Sequence, residues 1–132
     1  MQTFLPYEDF DDCAKVLDYR RLGKQRVEAF QILKALDRDS GGWVNHPATK
    51  MWRGYKDALK AYMNAMIGEW ERRGYKNTMA YADVPEDYEL PRWMGSRIHA
   101  THRAALLAKN SEHYAKFDWT EQPQVNYFWP VS

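Results

Sequence analysis

Glu28 is the only carboxylate on a polar stripe made of Arg21, Lys24, Gln25, Glu28 and Gln31. These positions differ by three, four or seven, so on a helix they share one face. A carboxylate ringed by cations and amides is placed to stay ionised. It can steady a cationic intermediate or move a proton. The same pattern also fits an exposed helical ion pair with Lys24, worth about 0.3–0.5 kcal/mol. A second polar stripe gathers Ser96, His99, His102 and Arg103, with Lys109 one to two turns on. Two histidines three residues apart can bind a metal, but no partner carboxylate stands near them in sequence. Contacts to phosphate or to base edges suit these residues better, and no metal site is expected. In Asn45-His46-Pro47, His46 reads either as a helix cap or as a site residue at a positive helix end. His113 has no companion pattern and reads as structural or exposed.

These residues need helices to hold them, and the hydrophobic periodicity supplies about four. The spacing of Phe10, Cys13, Ala14 and Leu17 predicts a first helix over about Tyr7 to Asp18. A second is expected from about Arg20 to Leu36, with Leu22, Ala29, Phe30, Leu33 and Leu36 as its apolar face; Gly41-Gly42 follows as a stop. A third begins at Pro47, where a missing N–H is harmless, and carries Met51, Tyr55, Leu59, Tyr62, Met63, Met66, Ile67 and Trp70 on one broad face. Arg72 and Arg73 complement its C-terminal dipole, and Gly74 fits the cap. Residues 77–90 read as a long acidic loop. A fourth helix lies within Pro91 to Asn110, starting near Gly95. The stretch from Phe117 to Ser132, with Trp119, Tyr127, Phe128 and Trp129, is expected to lie extended over the helices. No segment alternates with a two-residue period, so the expected class is all-α, a single domain over 1–132.

Composition narrows the function classes. At 132 residues, with 45% hydrophobic and 28% charged residues, the chain can bury one core and is neither disordered nor split into two cores. A single cysteine, Cys13, excludes an internal disulfide framework and points to a reducing, cytoplasmic setting. No long apolar run suggests a signal peptide or a membrane span, so no membrane partner is expected. Lys+Arg 19 against Asp+Glu 18 gives a net charge of +1, which by itself speaks against a polyanion partner. The sum conceals segregation. Between Tyr19 and Lys34 stand Arg20, Arg21, Lys24, Arg26 and Lys34 against Glu28 alone, a local +4; between Pro91 and Lys109 stand Arg92, Arg97, Arg103 and Lys109 with no acid, again +4. The acids crowd at Glu8 to Asp18 and at Asp83 to Glu89. Such a dipolar chain can turn a basic face to a polyanion. Ordinary solvated helix faces would give the same counts.

Several of these stretches resemble the pyrimidine dimer DNA glycosylase/AP lyase family, the small helical endonuclease V-like enzymes. Leu17-Asp18, Arg21-Leu22 and Glu28-Ala29 are similar to the segment that carries the family's catalytic glutamate. Gly42-Trp43-Val44-Asn45-His46-Pro47 resembles a glycine-aromatic-x-Asn-His-Pro turn found in bacterial members. Trp52 to Tyr75 resembles the family's long helix with its Arg-Gly-aromatic end, and Ser96 to Tyr114 its C-terminal DNA-contacting helix. Val27 stands where members usually have an arginine before the glutamate.

The resemblance implies a cofactor-free, monomeric enzyme acting on double-stranded DNA that carries a damaged or modified pyrimidine. It implies attack by the N-terminal α-amine on C1′, expulsion of the base, a Schiff base and strand cleavage by β-elimination. An α-amino group, with a pKa near 7.7–8.0, is partly neutral at working pH and needs little tuning for this. Gln2 is too bulky to permit removal of the initiator, so Met1 is expected to supply the amine and Glu28 to assist it. Arg20, Arg21, Lys24, Arg26, Arg97, Arg103 and Lys109 are expected to hold phosphates, and His46, His99 and His102 to lie near the lesion. Two other functions fit the same fold: a noncatalytic module that binds DNA or a protein, and a glycosylase for a hypermodified base.

Overall fold

Aspartates start the first two helices. In the computed structural model, which describes residues 1–131, Asp9 accepts a hydrogen bond from the Asp12 N–H at 3.0 Å and opens α1 (Phe10–Val16). Asp18 does the same for α2 (Tyr19–Leu36), accepting from the Arg21 N–H. Each cap satisfies a donor that the first helical turn would leave unpaired. Because Asp18 must be extended to cap α2, α1 stops at Val16, two residues before its expected end. The Cys13 side chain is wholly buried, bonded to the Tyr7 carbonyl, and its thiol is pushed up to about 12, which leaves it a packing residue without nucleophilic character.

The expected third helix is two helices. α3 (Pro47–Lys50) is a single turn, and α4 (Lys56–Arg72) starts afresh after Gly54, whose φ of +85° is the left-handed conformation glycine adopts without penalty. The break turns Trp52 into the core, where its indole N–H donates to Thr3 Oγ1 at 3.0 Å. α4 ends in paired bonds, Gly74 N–H to Glu71 O and Tyr75 N–H to Trp70 O, as its Arg-Gly-aromatic sequence predicted. Buried Glu69 binds Arg72 and Arg73 at 2.6 and 2.7 Å, and Arg73 also donates to the carbonyls of Ala14 and Lys15 at the end of α1.

α2 and α4 form the principal helix pair, and α1 packs on α4. They come close at Gly23, where a Cβ would stand 3.0 Å from the Trp70 ring. The α2 core face is Leu22, Gln25, Ala29, Ile32, Leu33 and Ala35. Phe30, expected inside, is 43% exposed with the Lys34 ammonium 5.0 Å above its ring. Residues 75–97 cross the surface without regular structure, pinned where Asn64 exchanges two 2.9 Å hydrogen bonds with the backbone of Ala82. α5 (Ile98–Lys109) leads into α6 (Ser111–Tyr114) and a 3-10 turn (Ala115–Phe117). The tail then lies extended along α5, tied by Gln124 N–H to Ala104 O and by Phe128 N–H to Thr101 Oγ1. Six α-helices and no strand make up the described residues, and the protein is all-α. None of the helices is long and apolar enough to cross a membrane.

Candidate active site

Residues Met1 to Pro6 run extended through the middle of the helical fold, and Gln2 to Pro6 are buried. Without a neighbouring strand, their backbone groups must find side chains. Gln25 supplies two of these partners: its Oε1 accepts from the Phe4 N–H at 2.8 Å and its Nε2 donates to the Gln2 carbonyl at 2.9 Å. The Tyr62 hydroxyl sits between the Phe4 carbonyl, at 2.8 Å, and Gln25 Oε1, at 2.5 Å. Further along, His102 Nδ1 accepts from the Leu5 N–H at 2.9 Å, and His99 Nδ1 donates to the Leu5 carbonyl at 2.8 Å. His99 Nε2 accepts from the Gly95 N–H, which fixes this tautomer. Arg103 closes the series, donating to the Pro6 carbonyl at 2.7 Å and to Glu121 at 2.8 Å.

This scaffold delivers the N-terminus to a cleft of about 1010 Å³ whose walls include Met1, Gln2, Phe4 and the outer face of α2. Arg20, Arg21, Lys24 and Lys109 bring positive charge to its lining, and Glu28 is its only carboxylate. Tyr19 and Trp70 stack at 5.4 Å on one side, and Tyr127 from the tail lies on another. Glu28 is half-buried, and its direct partner is Gln25 Nε2 at 2.7 Å; no ion pair with Lys24 forms. Burial pushes the Glu28 carboxyl up; the N-terminal ammonium, Lys24 and the Gln25 hydrogen bond pull it down without cancelling that effect. It is therefore less firmly ionised than a ring of cations alone would make it.

The cleft thus unites six of the sequence-predicted residues: Met1, Glu28, Arg20, Arg21, Lys24 and Lys109. His46 stands beside the amine, and burial followed by the amine's charge hold its imidazole below the usual range. It caps α3 through Nδ1, which accepts from the Ala48 N–H at 3.0 Å. The other expected contacts lie elsewhere. Arg26 is drawn against α4, its guanidinium 4.2 Å from the Trp70 ring centroid and its Nη1 bonded to Asn77. Arg97 is exposed outside the cleft, 4.4 Å from the Phe128 ring. His99 and His102 correct the expectation of a DNA-contacting stripe on α5. They are 6% and 0% exposed because their rings serve Leu5, and burial pushes His102 down to about 3, so it is neutral. Arg103 is likewise committed to Pro6 and Glu121 rather than free for phosphate.

Gln25 was expected only as an amide on the Glu28 stripe and Tyr62 only as an apolar-face residue; their bonds to the N-terminal segment were not foreseen. Gln25 lies three residues after Leu22 and four before Ala29, so its place at the border of the apolar face was a usable signal. Tyr62 carried none, since its partners Phe4 and Gln25 are 58 and 37 residues away.

The sequence model of the pyrimidine dimer DNA glycosylases matches residues 1–83. The chain belongs to this family. Comparison with curated proteins and with solved structures finds no match. The glycosylase match takes in the extended N-terminal segment and α1 to α4, and with them Met1, Arg20, Arg21, Lys24, Gln25 and Glu28. It ends before α5, which contributes His99, His102, Arg103 and Lys109. Membership makes this a DNA repair glycosylase, an enzyme whose substrate is DNA.

Proposed function

We propose that the protein excises a damaged or modified pyrimidine from double-stranded DNA and then cuts the strand as an AP lyase, with the α-amine of Met1 as nucleophile. The observation that carries this reading is the shared cleft: the N-terminal amine and Glu28 face one cationic space, and Gln25 bonds to both the N-terminal segment and the carboxylate. The neutral amine attacks C1′, forming an N–C1′ bond as the glycosidic bond breaks and its electron pair leaves with the base. Opening of the sugar ring gives a protonated imine. Loss of a C2′ proton then expels the 3′ phosphate by β-elimination.

Glu28 has two uses in this sequence. Ionised, it stabilises the cationic imine; burial raises its affinity for protons, which suits it to take up a proton during the elimination. Arg20, Arg21, Lys24 and Lys109 present positive charge to the backbone phosphates around the lesion. His46, kept below the usual imidazole range by burial and by the charge of the terminal amine, is within electrostatic reach of the nucleophile. Stacked Tyr19 and Trp70, with Tyr127, offer apolar surface to a nucleotide drawn out of the duplex.

The experiment is borohydride trapping with abasic and ultraviolet-irradiated duplexes. The expected result is a covalent adduct that maps to Met1. A protein that binds these duplexes with steep salt dependence, yet never gives an adduct or a shortened strand, is a binding module, and the proposal fails.

A further inference from the structure

A second groove, of about 670 Å³, lies where α3 and the turn after it meet the tail, and nothing in the proposed chemistry uses it. Lys50 and Arg53 stand on one side of it, Phe128 and Trp129 on the other, with Trp93 between. Arg97 adds a third cation, stacked on the Phe128 ring. Lys50, Arg53 and Arg97 are all exposed; Arg53 Nη2 donates to the Val44 carbonyl at 3.1 Å, and among the described residues no carboxylate lines the groove and none of the three cations has an acidic partner. The walls are preformed: Trp93 Nε1 donates to the Met51 carbonyl at 2.9 Å, and Phe128 N–H is bonded to Thr101.

The groove neighbours the cleft through its aromatic wall. Trp129 packs edge-on against His46 at 5.8 Å and against Tyr127 at 5.6 Å. Tyr127 itself lines the cleft, and His46 feels the charge of the terminal amine. Exposed cations without acidic partners, beside half-buried aromatic rings, suit a nucleic-acid strand, with phosphates on the cations and a base on a ring. A protein partner would need carboxylates set opposite all three cations.

We propose that this groove binds the DNA strand that flanks the lesion on one side. Lys50 and Arg53 contact its phosphates, and Trp129 stacks on or beside a base. This rests on the glycosylase reading for the identity of the polymer, and it makes the DNA-binding surface longer on one side of the lesion than the cleft alone provides.

The test uses the full chain and duplexes containing a tetrahydrofuran abasic analogue, with the lesion central or with one flank shortened. Binding is measured across a salt series for the wild type, Lys50→Glu, the double variant Lys50→Glu/Arg53→Glu and Trp129→Ala. Shortening one flank should weaken wild-type binding, and the double variant should be indifferent to that same shortening. Loss of two phosphate contacts should lower the salt slope by about 1.8. Trp129→Ala should weaken binding roughly tenfold, the scale of one stacked base. Lys50 is fully on the surface, so Lys50→Glu guards against misfolding of the double variant; it should lower the slope by about 0.9. Variants with wild-type affinity, slope and flank sensitivity overturn the groove, as does absence of DNA binding by the wild type. Trapping of wild type on abasic DNA is scored separately: a trapped wild type with indifferent groove variants refutes the groove alone. An untrapped wild type whose binding depends on Lys50 and Arg53 refutes the lyase chemistry alone.

Discussion

The stretches around α2 and α5 carry the same local charge of +4, yet the fold uses their polar stripes in opposite ways. The α2 stripe faces a cleft, and Arg20, Arg21 and Lys24 have that space in front of them. The α5 stripe faces the protein: His99 and His102 are buried and Arg103 is bonded to the Pro6 carbonyl. One stripe addresses a ligand, and the other addresses the first six residues of its own chain. Charge count and helical phase cannot separate these fates. What separates them is whether an unpaired backbone lies within reach, since buried N–H and C=O groups claim any side chain that can satisfy them.

The largest effect should come from the α2 side. Glu28→Gln should lower the rate of adduct formation by about 10²–10⁴, the range for a lost acid–base group. It should leave folding stability within about 1 kcal/mol, because an amide can still meet Gln25. Single-turnover trapping and a thermal melt read the two numbers; a variant that unfolds but keeps its rate would invert the contrast between the helices.

Acid should expose the α5 side. His102 titrates near 3 in the folded protein and near 6.5 when unfolded, so the unfolded state binds the extra proton between those values. The stability this contributes is full above about pH 6.5 and is lost as the pH falls toward 3, on the order of 5 kcal/mol in all. His102→Gln, which keeps an acceptor for Leu5 without titrating, should flatten that limb in denaturation measured across the pH range. A limb of unchanged steepness would mean that His102 is not the group responsible.

His102→Ala removes the acceptor altogether. The orphaned Leu5 N–H and the cavity together should cost about 3 kcal/mol and roughly 10 °C in Tm. Its DNA salt slope should match the wild type. The smallest effects belong to the cleft cations: Arg21→Ala and Lys24→Ala should each lower the salt slope by about 0.9, whereas Arg103→Ala should leave it alone. A slope that falls equally in all three would erase the distinction between the two helices.

What could be read from the sequence divides along similar lines. The α2 stripe was legible because its members repeat at helical spacing, and Glu28, Arg21 and Lys24 followed from that one pattern; Arg20 came from the local charge count and Lys109 from the stripe on α5. The break between α3 and α4 was written in Gly54, but the strong apolar run on both sides of it read as one helix. The inward turn of His99 and His102 was not legible, because Leu5, the residue they serve, is 94 and 97 positions away. Phe30 matched the helical period yet went to solvent, and Gln25 went to the core; both sit at the edge of the apolar arc, where phase alone does not decide.

The reach of α5 across the chain has a consequence for what counts as the smallest working piece. The family signature covers residues 1–83, but three of the side chains that fasten the start of the chain come from beyond it. A fragment cut at residue 83 would keep every group assigned to the chemistry except Lys109 and Tyr127, and lose the fastening at Leu5 and Pro6. Its amine would sample many positions, and the effective concentration of the proposed nucleophile at C1′ would drop with each of them. The signature covers most of the proposed chemistry, and the later helix supplies the rigidity that holds the start of the chain in place.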